Sequence, residues 1–214
     1  MKRLFAVLLL SALSPLTWAL EAGDQQRLSD IQTRWADIQY TLPEAQRTQA
    51  FAQLATQATA FTQARPQAAE AWIWSGIVTS SWAGAQGGLG ALSKVKAAKA
   101  DLEKALALNP KALQGSAYTS LAALYDRVPG WPIGFGDADK AEQLLTQALQ
   151  LNPTGIDSLY FWGDHLYRQK RYGEARDALR KALLAAPRPG RETADAGRRK
   201  EIESLLADLD KQLN

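Results

Sequence analysis

The chain has 214 residues, 46% of them hydrophobic and 22% charged, with a formal net charge of +3. That is enough apolar material for one ordinary domain or a row of small units, and too much for a disordered chain. Valine and isoleucine together number 11 against 38 alanines; such a mixture suits helices and leaves a large sheet without the β-branched residues that pack on a pleated surface. With no cysteine and one histidine, His165, disulfides, thiol catalysis and the usual zinc ligand sets are excluded.

At the N-terminus, the basic Met1-Lys2-Arg3 precedes an apolar run, Leu4 to Leu13, and then Pro15 and Thr17-Trp18-Ala19. This pattern predicts a signal peptide over residues 1–19. Ser11, Ser14, Pro15 and Thr17 interrupt the apolar run, which is too short for a membrane anchor. Loss of Lys2 and Arg3 takes the net charge from +3 to +1, so a nucleic-acid partner is not expected. No cysteine follows the cleavage point to carry a lipid. The expectation is a periplasmic or secreted protein with no stable membrane anchor once the signal is removed.

Residues 24–64 predict a helical hairpin. Leu28, Ile31, Trp35 and Ile38 form one apolar stripe, and Phe51, Leu54, Ala58 and Phe61 form the next. Thr41-Leu42-Pro43-Glu44 between them has the residues of a capping box, with Thr41 as N-cap and Pro43 in the first turn.

A recurrence then dominates the sequence: Ala98, Leu102, Ala105 and Pro110; Ala141, Leu145, Ala148 and Pro153; Ala175, Leu179, Ala182 and Pro187. The last two prolines stand 34 residues apart. This spacing resembles the tetratricopeptide repeat (TPR), in which two helices, A and B, make each unit. The resemblance covers residues 66–187 as three units. Trp72 and Gly76, Tyr118 and Ala122, and Gly163 with Tyr172 occupy further positions of the repeat pattern. It implies an all-α fold, a short right-handed solenoid of stacked antiparallel hairpins. Close helix crossing supplies the physical reason, because helices packed about 8–10 Å apart leave room only for a small side chain where they cross. The helix predicted over 191–214, with Ile202, Leu205, Leu206, Leu209 and Leu213 on one face, is expected to cap the open end, and the N-terminal helices the other.

Two units exceed the repeat length between helix A and helix B. The step from Gly163 to Ala175 is 12 residues, against 19 from Ala122 to Ala141 and 22 from Gly76 to Ala98. The insertions are placed at 81–90 and 128–136. They bring Trp82, Trp131, Ile133 and Phe135, expected on one edge of the stack, where they form either a rim around a binding groove or a local core folded onto the helices.

The resemblance carries the groove-facing positions of helix A onto Ile73 and Ile77; Thr119, Ala123, Asp126 and Arg127; and Tyr160, Asp164, Tyr167 and Arg168. Such a face suits a peptide or a partner protein of the cell envelope better than a polyanion. The glycines at 84–90 and 134–136 match neither a dinucleotide fingerprint nor a phosphate loop. Asp137 and Asp139 lack calcium-loop spacing, and they suit the first turn of a helix. A glycine-rich connection into a helix capped by Ser93 accounts for the first glycine cluster. No cofactor, metal site or catalytic residue is predicted. His165 reads as a structural or groove residue, and the Arg188, Arg191, Arg198, Arg199 and Lys200 run, offset by Glu192, Asp195, Glu201 and Glu203, as a solvated face. The expected function is an exported, non-catalytic protein-binding or scaffolding module. Exported TPR-like proteins with such insertions also resemble the T component of TRAP transporters, which implies association with a solute-binding protein. A carrier of a small hydrophobic ligand is the further alternative.

Overall fold

The structure, a computed structural model, describes residues 20–88 and 90–213; the expected signal peptide, 1–19, lies outside the described residues. Helices make up its regular structure: α1 (Ala22–Tyr40), α2 (Glu44–Ala64), α3 (Ala69–Gln86), α4 (Gly90–Leu108), α5 (Ser116–Arg127), α6 (Ala138–Leu151), α7 (Ile156–Arg168), α8 (Tyr172–Leu183) and α9 (Glu192–Leu213). A 3-10 turn, Ala112–Gly115, leads into α5. There is no strand among the described residues.

The repeated alanines and leucines do the work that their spacing predicts. Ala98, Leu102 and Ala105 of α4, Ala141, Leu145 and Ala148 of α6, and Ala175, Leu179 and Ala182 of α8 are all 0% exposed. Each packs its helix against the one before it: α3 with α4, α5 with α6, α7 with α8. At the α7–α8 crossing, a Cβ built on Gly163 would sit 2.7 Å from Leu179 Cγ; at the α3–α4 crossing, one on Gly76 would sit 2.6 Å from Leu102 Cγ. Only hydrogen fits at either place without displacing the leucine opposite.

The odd-numbered helices touch in sequence, α1 with α3, α3 with α5, α5 with α7, α7 with α9, and α9 returns to α1. The stack therefore closes into a ring, with α6 and α8 on its outside and α2 and α4 reaching the interior only by their first turns. This corrects the expectation that α9 and the N-terminal helices cover opposite ends, for the two ends cover each other. The seam is tight: a Cβ on Gly197 of α9 would clash with the Tyr40 ring of α1. Arg65 at the end of α2 pins the start of α1 through Asp24 at 2.5 Å and Glu21 at 2.9 Å.

The two insertions take different forms. Residues 81–90 are not a loop: α3 continues to Gln86, Gly87 and Gly88 turn the chain with φ of 63° and 61°, and α4 begins at Gly90. Ser81 to Gln86 holds no proline and buries Ala83, so the additional residues lengthen both helices. Residues 128–136 stay non-helical, as Pro129 and Pro132 and three glycines dictate. That loop is closed by the Gly136 amide donating to the Pro129 carbonyl at 2.9 Å.

Two capping expectations are also corrected. The Thr41 hydroxyl donates to the Asp37 carbonyl at 2.6 Å, finishing α1, while Pro43 occupies the position before α2. Ser93 lies inside the first turn of α4, its hydroxyl donating to the Gly90 carbonyl. Asp137 does cap α6, accepting from the Lys140 amide at 3.0 Å.

The crossing geometry makes opposite predictions for two helical glycines. Gly163→Leu should lower stability by about 3 kcal/mol through overpacking. Gly84→Ala, where no atom lies within 4 Å of the new Cβ, should raise it by up to about 1 kcal/mol. Urea unfolding followed by circular dichroism measures both.

Candidate functional site

The ring encloses a cavity of about 1290 Å³, open to solvent, whose wall is built from α1, α3, α5 and α7, with the first turns of α2 and α4, and completed by α9 and the segment before it. Trp35 and Tyr40 of α1, Trp74 and Ile77 of α3, and Tyr160 and Phe161 of α7 supply its aromatic and apolar surface. Trp35 stands edge-on to both Tyr40 and Trp74, with centroids 5.8 and 5.9 Å apart. The Trp35 indole N–H donates to the Ser81 hydroxyl at 2.8 Å, which fixes the ring's orientation.

The charged lining favours cations: Arg47, Arg127, Arg188, Arg191 and Arg198 against Glu44, Asp157 and Glu201. At its centre is Asp157 of α7. Its carboxylate accepts from Arg198 of α9 at 2.8 Å and from Arg188 at 2.7 Å. Burial alone would raise its pKa, but the charges of Arg198 and Arg188 outweigh burial and hold it at about 2. Arg188 is also held by Asp195 at 2.7 Å, and Arg198 by Glu201 at 2.6 Å. Arg198 further lies over the Tyr160 ring at 4.2 Å. The basic run read as a solvated face is thus largely internal: Arg198 is buried, and Arg199 donates to the carbonyls of Leu183, the last residue of α8, and of Ala185 beyond it.

Arg191 differs from these neighbours. Its guanidinium stacks over Trp74 at 5.1 Å, but among the described residues no carboxylate forms an ion pair with it, and its Nε is buried without a hydrogen-bond partner. Burial, and then the adjacent Arg188 charge, lower its pKa from the ordinary guanidinium value.

The groove residues expected from the sequence divide into two sets. Ile77, Thr119, Ala123, Arg127 and Tyr160 line the cavity. Ile73 does not; it is fully buried in the core between hairpins. Asp164, Tyr167 and Arg168, near the end of α7, stand outside the cavity wall: Asp164 is taken by Arg127 at 2.7 Å and Arg168 at 3.3 Å, and Tyr167 packs on Tyr172. Asp126 turns instead to His165. Of the loop residues, Phe135 packs edge-on against Tyr125 and Trp82 is half-buried under Lys94 at 4.3 Å. Ile133 lines the cavity, and Trp131 is 90% exposed beside it. Gly87, Gly88 and Pro129 line the same cavity, so both inserted segments contribute to it.

His165 is fully buried. Its Nδ1 lies 2.9 Å from Asp126, its Nε2 3.5 Å from Glu142, and its ring stacks on Trp162. Burial opposes its protonation, but the Asp126 and Glu142 carboxylates outweigh burial and raise its pKa. Among the described residues no cluster of three or more His, Asp or Glu could hold a metal ion, and no helix is long and apolar enough to cross a membrane.

These features define a closed stack of helical hairpins around a cavity. Residues 133–192, covering α6 to α8, match the family model for the tetratricopeptide repeat. The chain is similar in fold to a thermophilic TPR protein of Thermus thermophilus: 19% identity and a TM-score of 0.61, covering 89% of this chain and 83% of that one. No curated protein matches it. Residues 133–192 are thus similar to the tetratricopeptide repeat, and the fold of the described residues is all-α and TPR-like.

Two outcomes test the electrostatics. Asp157→Asn should cost about 1–2 kcal/mol, less than a fully buried pair because the carboxylate is partly exposed. The raised His165 pKa stabilises the fold below the unfolded-state value of about 6.5, and that contribution disappears as pH rises through the folded value. The unfolding midpoint of the wild type should therefore fall between pH 6 and 9 relative to His165→Gln, as thermal melts across that range would record.

Proposed function

We propose that this protein is an exported, non-catalytic recognition module of the periplasm, which holds a peptide segment or partner protein of the cell envelope on its concave face. The observation that carries this reading is the cavity: a large concave site with aromatic walls and a few placed charges is where ligands bind. The Trp131–Ile133 loop extends the site outward. Exposed aromatic and aliphatic side chains at a cavity rim are the kind of anchor that dominates binding energy. Export rests on the residues at 1–19.

A second reading, a carrier of a small hydrophobic ligand, uses the same site. The ring closure favours it, because a wall on every side restricts the width of whatever enters. An accessory role beside a TRAP-type solute-binding protein fits either reading.

A photo-cross-linking residue placed at Ala123, on the cavity wall, should capture a discrete envelope protein; the same residue at Gln147, on the outer α6, should not. Trp131→Ser should reduce the yield by about tenfold. Equal capture from both positions would remove the concave face from consideration. Osmotic-shock release of a chain beginning at Leu20 would support export, and a retained Met1 would count against it.

A further inference from the structure

The buried apolar residues fall into two separate clusters. One unites α1 to α6; the other belongs to α7, α8 and α9, with Ile202 and Leu209 as the share of α9. Among the described residues, Ala194 is the one α9 side chain that enters the first cluster. The ring is therefore two bodies that meet twice, where α5 and α6 touch α7 and where α1 touches α9.

These two junctions are built differently. At the first, Phe161 and Trp162 of α7 pack against both clusters. Three directional links cross it as well: Arg127 to Asp164 at 2.7 Å, His165 to Asp126 at 2.9 Å and Arg171 to Glu142 at 2.7 Å. At the seam, no ion pair joins α1 to α9 among the described residues. The Tyr40 hydroxyl donates to Glu201 at 3.4 Å, beyond the usual hydrogen-bond range, and the same carboxylate oxygen already accepts from Arg198. Otherwise the contact is one of shape, the Gly197 backbone against the Tyr40 ring. Beside it Arg191 lies over Trp74, and Nε of the first and Nε1 of the second are buried without a partner. Donors buried without acceptors favour any arrangement in which water reaches them, so closure is opposed at the junction that has the fewest bonds.

We infer that the ring opens at the α1–α9 seam, with α7, α8 and α9 swinging as one body on their contacts with α5 and α6. A hinged movement needs one junction that holds and another that parts. Arg198 ties α9 to Asp157 of α7, so α9 travels with its hairpin instead of peeling away alone. Opening brings water to Trp74 and Arg191 and widens the cavity from the side, which lifts the limit that the closed wall sets on what enters. That use of the opening rests on the cavity being the recognition site; the movement itself does not.

The chain contains no cysteine, so spin labels can be placed in pairs on the intact protein and their separation read by double electron–electron resonance. Arg34→Cys with Lys200→Cys spans the seam. Arg34→Cys with Gln57→Cys stays within α1 to α6, and Arg180→Cys with Lys200→Cys within α7 to α9; all four side chains are exposed. The seam pair should show two distances, the longer by about 10 Å, the width of a helix, while each internal pair shows one. Gly197→Ala, whose methyl group meets the Tyr40 ring, should raise the ratio of long to short distance by about tenfold. Tyr40→Ala, which deletes the ring, should do so from the other side of the seam.

A single seam distance in the wild type and in both variants would overturn the inference. So would a second distance in the Arg180–Lys200 pair, because α9 would then be leaving its own hairpin. The measurement needs no ligand: a failed Ala123 cross-link leaves it standing, and a ring that stays shut leaves the cross-link to judge the concave face.

Discussion

One carboxylate holds the cavity in its present shape. Asp157 stands at the start of α7 and receives two arginines, one from α9 and one from the segment leading to it. Each arginine is held by a second acid of its own, Asp195 or Glu201. The result is a chain of alternating charges that fixes the position of α9 relative to α7. Hydrophobic contacts of Ile202 and Leu209 attach α9 to its neighbours, but they are non-directional, and a helix held by them alone can slide. The directional pairs determine where Arg188 and Arg198 stand, and so where the ring closes and what lines its interior.

The hairpins depend on a different constraint, the lack of space at each crossing. Gly76, Ala122 and Gly163 allow helix A to approach helix B, and the buried alanines of α4, α6 and α8 repeat the economy on the partner. Because that spacing is preserved, the first unit tolerates ten additional residues by growing taller rather than by rearranging. Lengthened α3 and α4 deepen the cavity on the side of Gly87 and Gly88. In the second unit the prolines prevent the same solution, and the loop carries Ile133 to the rim.

Much of this could be read in the sequence, for identifiable reasons. A steric requirement that recurs at fixed spacing leaves small residues at fixed spacing, so the hairpins and their order were legible. Ring closure was not, because it is made by tertiary contact between the first and last helices, and no repeat pattern describes that. The arginine cluster was misjudged because its charges look balanced in a linear reading. A signal was nevertheless present: Arg191, Asp195, Arg198, Ile202 and Leu209 fall on one helical face, so the charged residues continue the stripe that the apolar ones begin. Charges at the positions of a buried stripe indicate an internal polar network rather than a solvated surface. Likewise Asp164, Tyr167 and Arg168 were assigned to the groove by their place in the repeat, whereas the cavity is confined to the first half of α7.

The meeting of α1 with α9 also has a temporal meaning. A solenoid with free ends can form unit by unit as it leaves the ribosome, since each hairpin needs only its neighbour. Here the interior is bounded on one side by the last helix to be synthesised, and Gly197 can nest on Tyr40 only when nearly the whole polypeptide is available. Hairpins can assemble early, but the enclosed cavity comes into being late, once α9 has met α1.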